Sequence, residues 1–185
     1  MAGEPEGSIE VSAAEEITLR SRFLSAMSHA AATVAIVTTD GPAGRAGITV
    51  SAMTPVSADS ERPTLLTCVN RGSASAEALL ANGVFCVNVL REDQSLISDT
   101  FSRQREAPGG DKFGCAEWTA MATGAPRLVD PLVAFDCRLI DCKSVGSHDI
   151  LRGAVEDIFI AGRGGPLVYA NRGYASLQRL GNSKS

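Results

Sequence analysis

Between Thr33 and Ala170 the chain is a succession of short β-rich runs separated by turn residues, with only a few short helical stretches that do not alternate regularly with the strands. This pattern predicts a mainly β, β-rich α+β domain, a barrel or sandwich with a few short peripheral helices, and argues against a doubly wound parallel sheet. The expected strands are Thr33–Thr39, Ile48–Val56, Pro63–Asn70, Val84–Leu90, Leu132–Cys142, Ile150–Ile160 and Pro166–Ala170. Asp40–Gly47 reads as a hairpin loop, and Pro55 favours an edge strand or a bulge. Val84–Leu90 is a β-rich run that is apolar apart from Asn88 and is expected to be buried on both faces. Ser12–Glu15 has the form of a capping box. The helix that it starts would turn Ile17, Phe23, Leu24 and Met27 to the core and end near His29, which would act as its C-terminal cap. Ser73 or Ser75 would cap a second short helix that Asn82 and Gly83 end. A third helix is expected over residues 93–102, with Leu96, Ile97 and Phe101 on its apolar face. The acidic, Gly- and Pro-containing start predicts a disordered tail over residues 1–14, followed by one domain over 15–179 and a short tail over 180–185.

Two of these runs, Gly47–Ser57 and Leu65–Ser75, carry a dense set of small hydroxyl and amide residues and no acidic side chain. Small side chains allow a flat ligand to approach the backbone, and Ser, Thr and Asn supply hydrogen-bond donors. The second run opens straight into a helix start, whose first N–H groups lack partners and attract phosphate. The combination suits a phosphorylated planar cofactor better than a metal or a nucleic acid. The competing reading is two half-buried strands with polar outward faces. The chain has no G-x-G-x-x-G between a strand and a helix and no G-x-x-x-x-G-K-[ST], so a nucleotide would be held by neither a Rossmann turn nor a P-loop.

Composition narrows the classes further. A formal net charge of −4 disfavours nucleic acid or an anionic membrane as partner. No apolar run approaches the roughly 20 residues of a membrane helix, and the first ten residues lack the features of a secretory signal. The five cysteines form no C-x-x-C pair, and Cys68, Cys86 and Cys137 sit in apolar runs. They read as buried small hydrophobes in a reducing, cytoplasmic setting rather than as disulfides or a zinc site, and with two histidines no metal site is expected.

With these positions laid out, the chain resembles the flavin reductase family, the small reductase components of two-component flavin-dependent monooxygenases. The resemblance runs from Phe23 to Leu177. Its markers are Ala32–Ala52, Leu65–Arg71, Gly83–Leu90, Val145–Ile150 and Pro166–Arg172, each weak alone and specific in their order and spacing. It implies an FMN-binding split β-barrel, usually a homodimer with flavin near the subunit interface, that reduces FMN (or FAD) with NADH or NADPH and supplies a separate monooxygenase. The sequence departs from the family after Ser57, where Ala58–Pro63 is longer and carries one proline.

The resemblance also implies roles. Thr49, Val50, Ser51 and Ala52 match the strand that lines the isoalloxazine ring. Asn70, Arg71, Ser73 and Ser75 match the flavin-phosphate segment, in which Arg71 neutralises charge; Ser57 is a further candidate that also reads as a strand end. His148 matches a histidine near the nicotinamide or flavin. It is taken as the catalytic residue in a positioning sense, because hydride passes directly from nicotinamide C4 to flavin N5 and the protein's task is to align two rings. Phe101, Tyr169, Arg172 and Tyr174 are candidates for stacking on or pairing with a dinucleotide. Each has a plainer reading: an N-cap and a solvated arginine for Ser75 and Arg71, a turn histidine for His148, a core residue for Phe101. Trp118 reads as packing and Asp130-Pro131 as a turn. Arg163 and Arg172 are the candidates to meet a 2′-phosphate. Two other functions remain open: an FMN-containing reductase that passes electrons to a bound corrinoid, quinone or metal chelate, and a flavin- or haem-binding protein without turnover.

Overall fold

The structure is a computed structural model that describes residues 18–180. Its centre is a seven-stranded antiparallel sheet in the order β3-β2-β6-β9-β10-β5-β4. The strands are β2 (Ala35–Thr39), β3 (Ala46–Val50), β4 (Met53–Ser57), β5 (Thr64–Asn70), β6 (Val84–Val89), β9 (Val133–Val145) and β10 (His148–Ile160). β6 is buried at all six positions, as a continuous Val- and Phe-rich run requires when both faces are covered. On one side of the sheet Phe85, Val87, Leu79, Leu151 and Cys137 pack into the main core.

β3 and β4 are the two opposite edges of this sheet, and the two-residue corner Ser51–Ala52 joins them. The expected single strand Ile48–Val56 is therefore two strands. The backbone turns where the Ala52 carbonyl accepts Cys68 N at 3.1 Å and Thr67 Oγ1 at 2.9 Å. The sheet thus curls until its edges meet at one corner, the open form of a split barrel. Pro55 lies on the edge, beside a register shift between Pro55 and Ser57, so both expectations for it hold.

Two small sheets flank the barrel. β1 (Ala32–Thr33), β11 (Val168–Ala170) and β12 (Gly173–Ala175) form one. Val34 divides the expected strand Thr33–Thr39 because it serves both sheets: its N–H bonds Leu167 O at 2.9 Å and its carbonyl accepts Leu90 N at 3.0 Å. The other is β7 (Trp118–Ala120) with β8 (Pro126–Leu128). Buried Asn88 clamps it to the barrel, its Oδ1 accepting Leu128 N at 2.8 Å and its Nδ2 donating to Pro126 O at 3.3 Å. β9 and β10 pair over their full length around a two-residue turn, Gly146-Ser147, with Gly146 at φ +55°. The expected long loop 143–149 is mostly ladder; its outer end is exposed and polar, so no apolar alternation marks it.

The second and third helices are α2 (Ala76–Asn82) and α3 (Ser95–Phe101). Gly83, left-handed at φ +66°, ends α2 as expected. Ser75 occupies the N-cap, but its hydroxyl donates to Gly47 O at 2.7 Å instead of capping the helix. The first helix, α1 (Leu19–Ser28), corrects the sequence reading. Its described N-cap is Thr18, the C-cap is His29, and none of its residues is buried. Phe23 and Met27 are 61% and 51% exposed, and Leu24 is exposed with them. The stripe has helical spacing, but no described element packs on it. The capping box Ser12–Glu15 and Ile17 lie outside the described residues.

Candidate functional site

A continuous groove runs along β3, from the small sheet to the loop before β7. Its first part, about 240 Å³, is lined by Val34, Thr49, Val50, Ser51, Ser98, Ser102, Gln104, Tyr169 and Tyr174. The second, about 410 Å³, shares Thr49 and Ser102 and adds Ile48, Asn70, Gly72, Ser73, Ala74, Ser75, Phe101, Arg103 and Lys112. A third, about 230 Å³, shares Ala74, Ser75, Arg103 and Lys112 and extends to Arg45, Gly110, Asp111 and Phe113.

Local packing explains why these residues meet. Gly47 lets α3 lie against β3: a Cβ built there would come within 2.6 Å of Phe101 Cε1. The Gly47 carbonyl holds Ser75, and Thr49 Oγ1 donates to Ser98 O at 2.8 Å. Tyr174 donates to Asp99 Oδ1 at 2.7 Å and accepts from Ser98 Oγ at 2.9 Å, and its ring meets Tyr169 edge-on with centroids 5.6 Å apart. Burial pushes the Tyr174 phenol up, so it stays a neutral donor at physiological pH. Phe101 is 1% exposed and packs in an aromatic cluster with Phe113 and Trp118. Trp118 also donates Nε1–H to Phe113 O at 2.9 Å.

At the middle of the groove the chain turns sharply. Asn70 Oδ1 accepts Gly72 N at 2.8 Å, and the buried Ser73 Oγ finds no hydrogen-bond partner among the described residues. An orphaned buried hydroxyl costs roughly 1–3 kcal/mol unless a ligand uses it. Arg71 pairs through Nε with buried Asp149 at 3.5 Å, and its backbone N–H bonds Ser147 O at 3.0 Å. His148 begins β10 directly opposite Asn70, exposed, with Nδ1 3.0 Å from Ser147 Oγ. Burial holds the thiols of Cys86 and Cys137 far above their ordinary range, which leaves them inert.

Of the residues singled out in the sequence, Thr49, Val50, Ser51, Tyr169, Tyr174, Asn70, Ser73, Ser75 and Phe101 line the groove. Ala52, Arg71, His148 and Arg172 are not in its lining. Ala52 is the corner beside it, and Arg172 sits in the β11–β12 turn at φ +61°. Ser57 lies at the far end of β4, accepting Asp59 N at 3.2 Å. Sequence reasoning missed Ser98, Ser102, Arg103, Gln104, Lys112 and Arg45. The recurrence of Ser95, Ser98 and Ser102 at helical spacing was the available signal for a small-residue helix face.

A family model described as "Flavin reductase like domain" matches residues 27–178. The chain belongs to the flavin reductase family. The flavin reductase named FMN reductase (NADH) RutF 1, from a strain of Methylorubrum extorquens, is 43% identical over 163 residues, covering 88% of this chain and 79% of its own. A second protein, named FMN reductase (NADH) RutF, from Agrobacterium fabrum, is 40% identical over 177 residues, covering 96% and 98%. Among solved structures, BorF, the flavin reductase component of a bacterial two-component tryptophan halogenase, superposes with a TM-score of 0.74 at 31% identity, over 86% of this chain and 99% of that one. The flavin reductase fold expected from the sequence is the fold observed.

Proposed function

We propose that this flavin reductase domain oxidises NADH and reduces FMN, and that the reduced flavin serves a separate monooxygenase. The observation that carries the reading is the groove itself: a strand of small residues faces the Tyr169–Tyr174 pair at one end, and an orphaned Ser73 hydroxyl lies beside Asn70 at its middle. When bound, the flavin supplies the hydride-accepting ring. Thr49, Val50 and Ser51 give that ring a flat wall with backbone partners, while Ser73 donates to the phosphate. No side chain in the groove has to carry a proton through the transfer; alignment of two rings is the work done. His148, opposite Asn70 on the neighbouring strand, positions the nicotinamide from the groove's outer lip, and Arg71, braced by Asp149, keeps that lip in register.

Residues 15–179 act as one cytoplasmic domain in this reading, and two copies associate. The exposed apolar stripe of α1 supports the dimer, because Leu19, Phe23, Leu24 and Met27 would leave water on association. No described helix is long and apolar enough to cross a membrane. The test is NADH oxidation by purified, flavin-stripped protein. A rate that saturates with added FMN supports the reading. Flavin binding without NADH oxidation would replace it with a binding protein, and FMN retained through gel filtration without release of reduced flavin would point to a bound electron acceptor.

A further inference from the structure

The third part of the groove has a charge opposite to that of the chain. Arg45, Arg103 and Lys112 surround it, in a protein of formal net charge −4. Among the described residues none of the three pairs with a carboxylate, whereas six other arginines do. Arg45 lies over the Phe113 ring at 3.9 Å and Lys112 donates to Phe101 O at 3.3 Å, so aromatic faces and a carbonyl steady them. Asp111, the one acidic residue in the lining, is committed to Phe113 N at 2.9 Å. Arg103 holds a left-handed backbone at φ +64°, a conformation that favours glycine. Burial, and then the charge of Arg103, push the Lys112 amine down; an anion between them would reverse that. Arg103 and Lys112 line both the Ser73 part of the groove and the Arg45 part.

We propose that these two parts form a two-phosphate cradle: Ser73, Arg103 and Lys112 take the phosphoryl group that FMN carries, and Arg45, at the far end, takes the second phosphoryl group of FAD. The inference rests on the reductase reading and adds to it the residue that sets the preference between mononucleotide and dinucleotide flavin. Arg45 is the reader because it alone of the three cations lines only the outer part.

Binding of riboflavin, FMN and FAD to the full chain is measured by quenching of Trp118, whose ring centroid is 5.9 Å from the Arg45 guanidinium carbon. Loss of one charge-assisted contact is worth about tenfold. Arg45→Met is expected to raise the Kd for FAD about tenfold more than that for FMN, and Arg45→Lys to restore most of the loss. Arg103→Gly, which relieves the backbone and therefore folds, is expected to raise both Kd values about tenfold and leave riboflavin unmoved. Equal effects of Arg45→Met on FMN and FAD, or none on either, would overturn the assignment. So would a rise in the KM for NADH with the FAD-to-FMN ratio unchanged, because the cradle would then serve the nicotinamide dinucleotide. Inorganic pyrophosphate, titrated alone, separates the two levels. If no flavin binds but pyrophosphate does, and both arginine variants weaken it, the reductase reading falls and the cradle stands; if neither binds, both fall.

Discussion

Ser73→Ala should make the free protein more stable and the flavin-bound protein less well held, two effects of opposite sign from one oxygen atom. The Ser73 Oγ is buried with no hydrogen-bond partner among the described residues. Removing such a group recovers part of a desolvation cost of roughly 1–3 kcal/mol. Taking about 1 kcal/mol, and about 2–4 °C per kcal/mol for a chain of this size, the free variant should melt about 2–4 °C higher. If the hydroxyl donates to the flavin phosphate, its loss should raise the Kd for FMN about tenfold. At an FMN concentration 100 times the wild-type Kd, the stabilisation on binding should then drop from about 2.7 to about 1.4 kcal/mol, so the FMN-induced rise in Tm should roughly halve. Thermal melts with and without FMN, with riboflavin as the phosphate-free control, read both signs in one experiment. A free variant that melts lower, or an unchanged FMN shift, would refute the reasoning, because the hydroxyl would then have had a partner in the free protein or none in the complex.

Other consequences are as concrete. Gly153 lies in β10 where an added Cβ would come within 2.6 Å of Phe85 Cζ and 2.9 Å of Cys137 Cβ; Gly153→Ala should cost about 1–3 kcal/mol by chemical denaturation, with flavin affinity retained if the native fold is reached. Tyr174→Phe should lower FMN affinity, because the bonds to Ser98 and Asp99 that steady the groove wall are lost, and titration of FMN checks it. Buried Asp136 accepts Thr123 N at 2.8 Å and Thr123 Oγ1 at 2.5 Å, yet burial outweighs these bonds and pushes its carboxyl above the ordinary value of 3.8. The folded state therefore binds this proton more tightly than the unfolded state, and its contribution to stability falls as pH rises from about 3.8 through the raised value. Asp136→Asn should flatten that fall relative to wild type in denaturation curves taken across the acid range.

Much of the barrel was legible because its strands carry their own signal. Val84–Leu90 is apolar at every position but Asn88, and its burial on both faces follows from that. α2 is bounded by a glycine whose left-handed conformation is a local property. The hidden parts depend on tertiary partners. β12 follows a turn made by Asn171 and Arg172, both at positive φ; an arginine in place of the usual glycine conceals the hairpin. β7 and β8 have three residues each, too short for periodicity, and exist through the Asn88 clamp. The stripe on α1 reads as core-facing from sequence because spacing reports that a face is apolar, not what covers it. The groove divides in the same way. Its β3 wall was visible as a run of small hydroxyl residues, whereas Ser98, Arg103 and Lys112 reach it from far along the chain.

The corner at Ser51–Ala52 gives the protein a latch. The two edge strands of the barrel are joined there by backbone alone, and Thr49 and Val50, just before the joint, line the groove together with Ser51 in it. A ligand seated against them would splint the joint, so occupancy and the rigidity of the opening would become one variable. Amide exchange in β3 and β4 should therefore slow together on binding, while the long β9–β10 ladder on the far wall keeps its own pace.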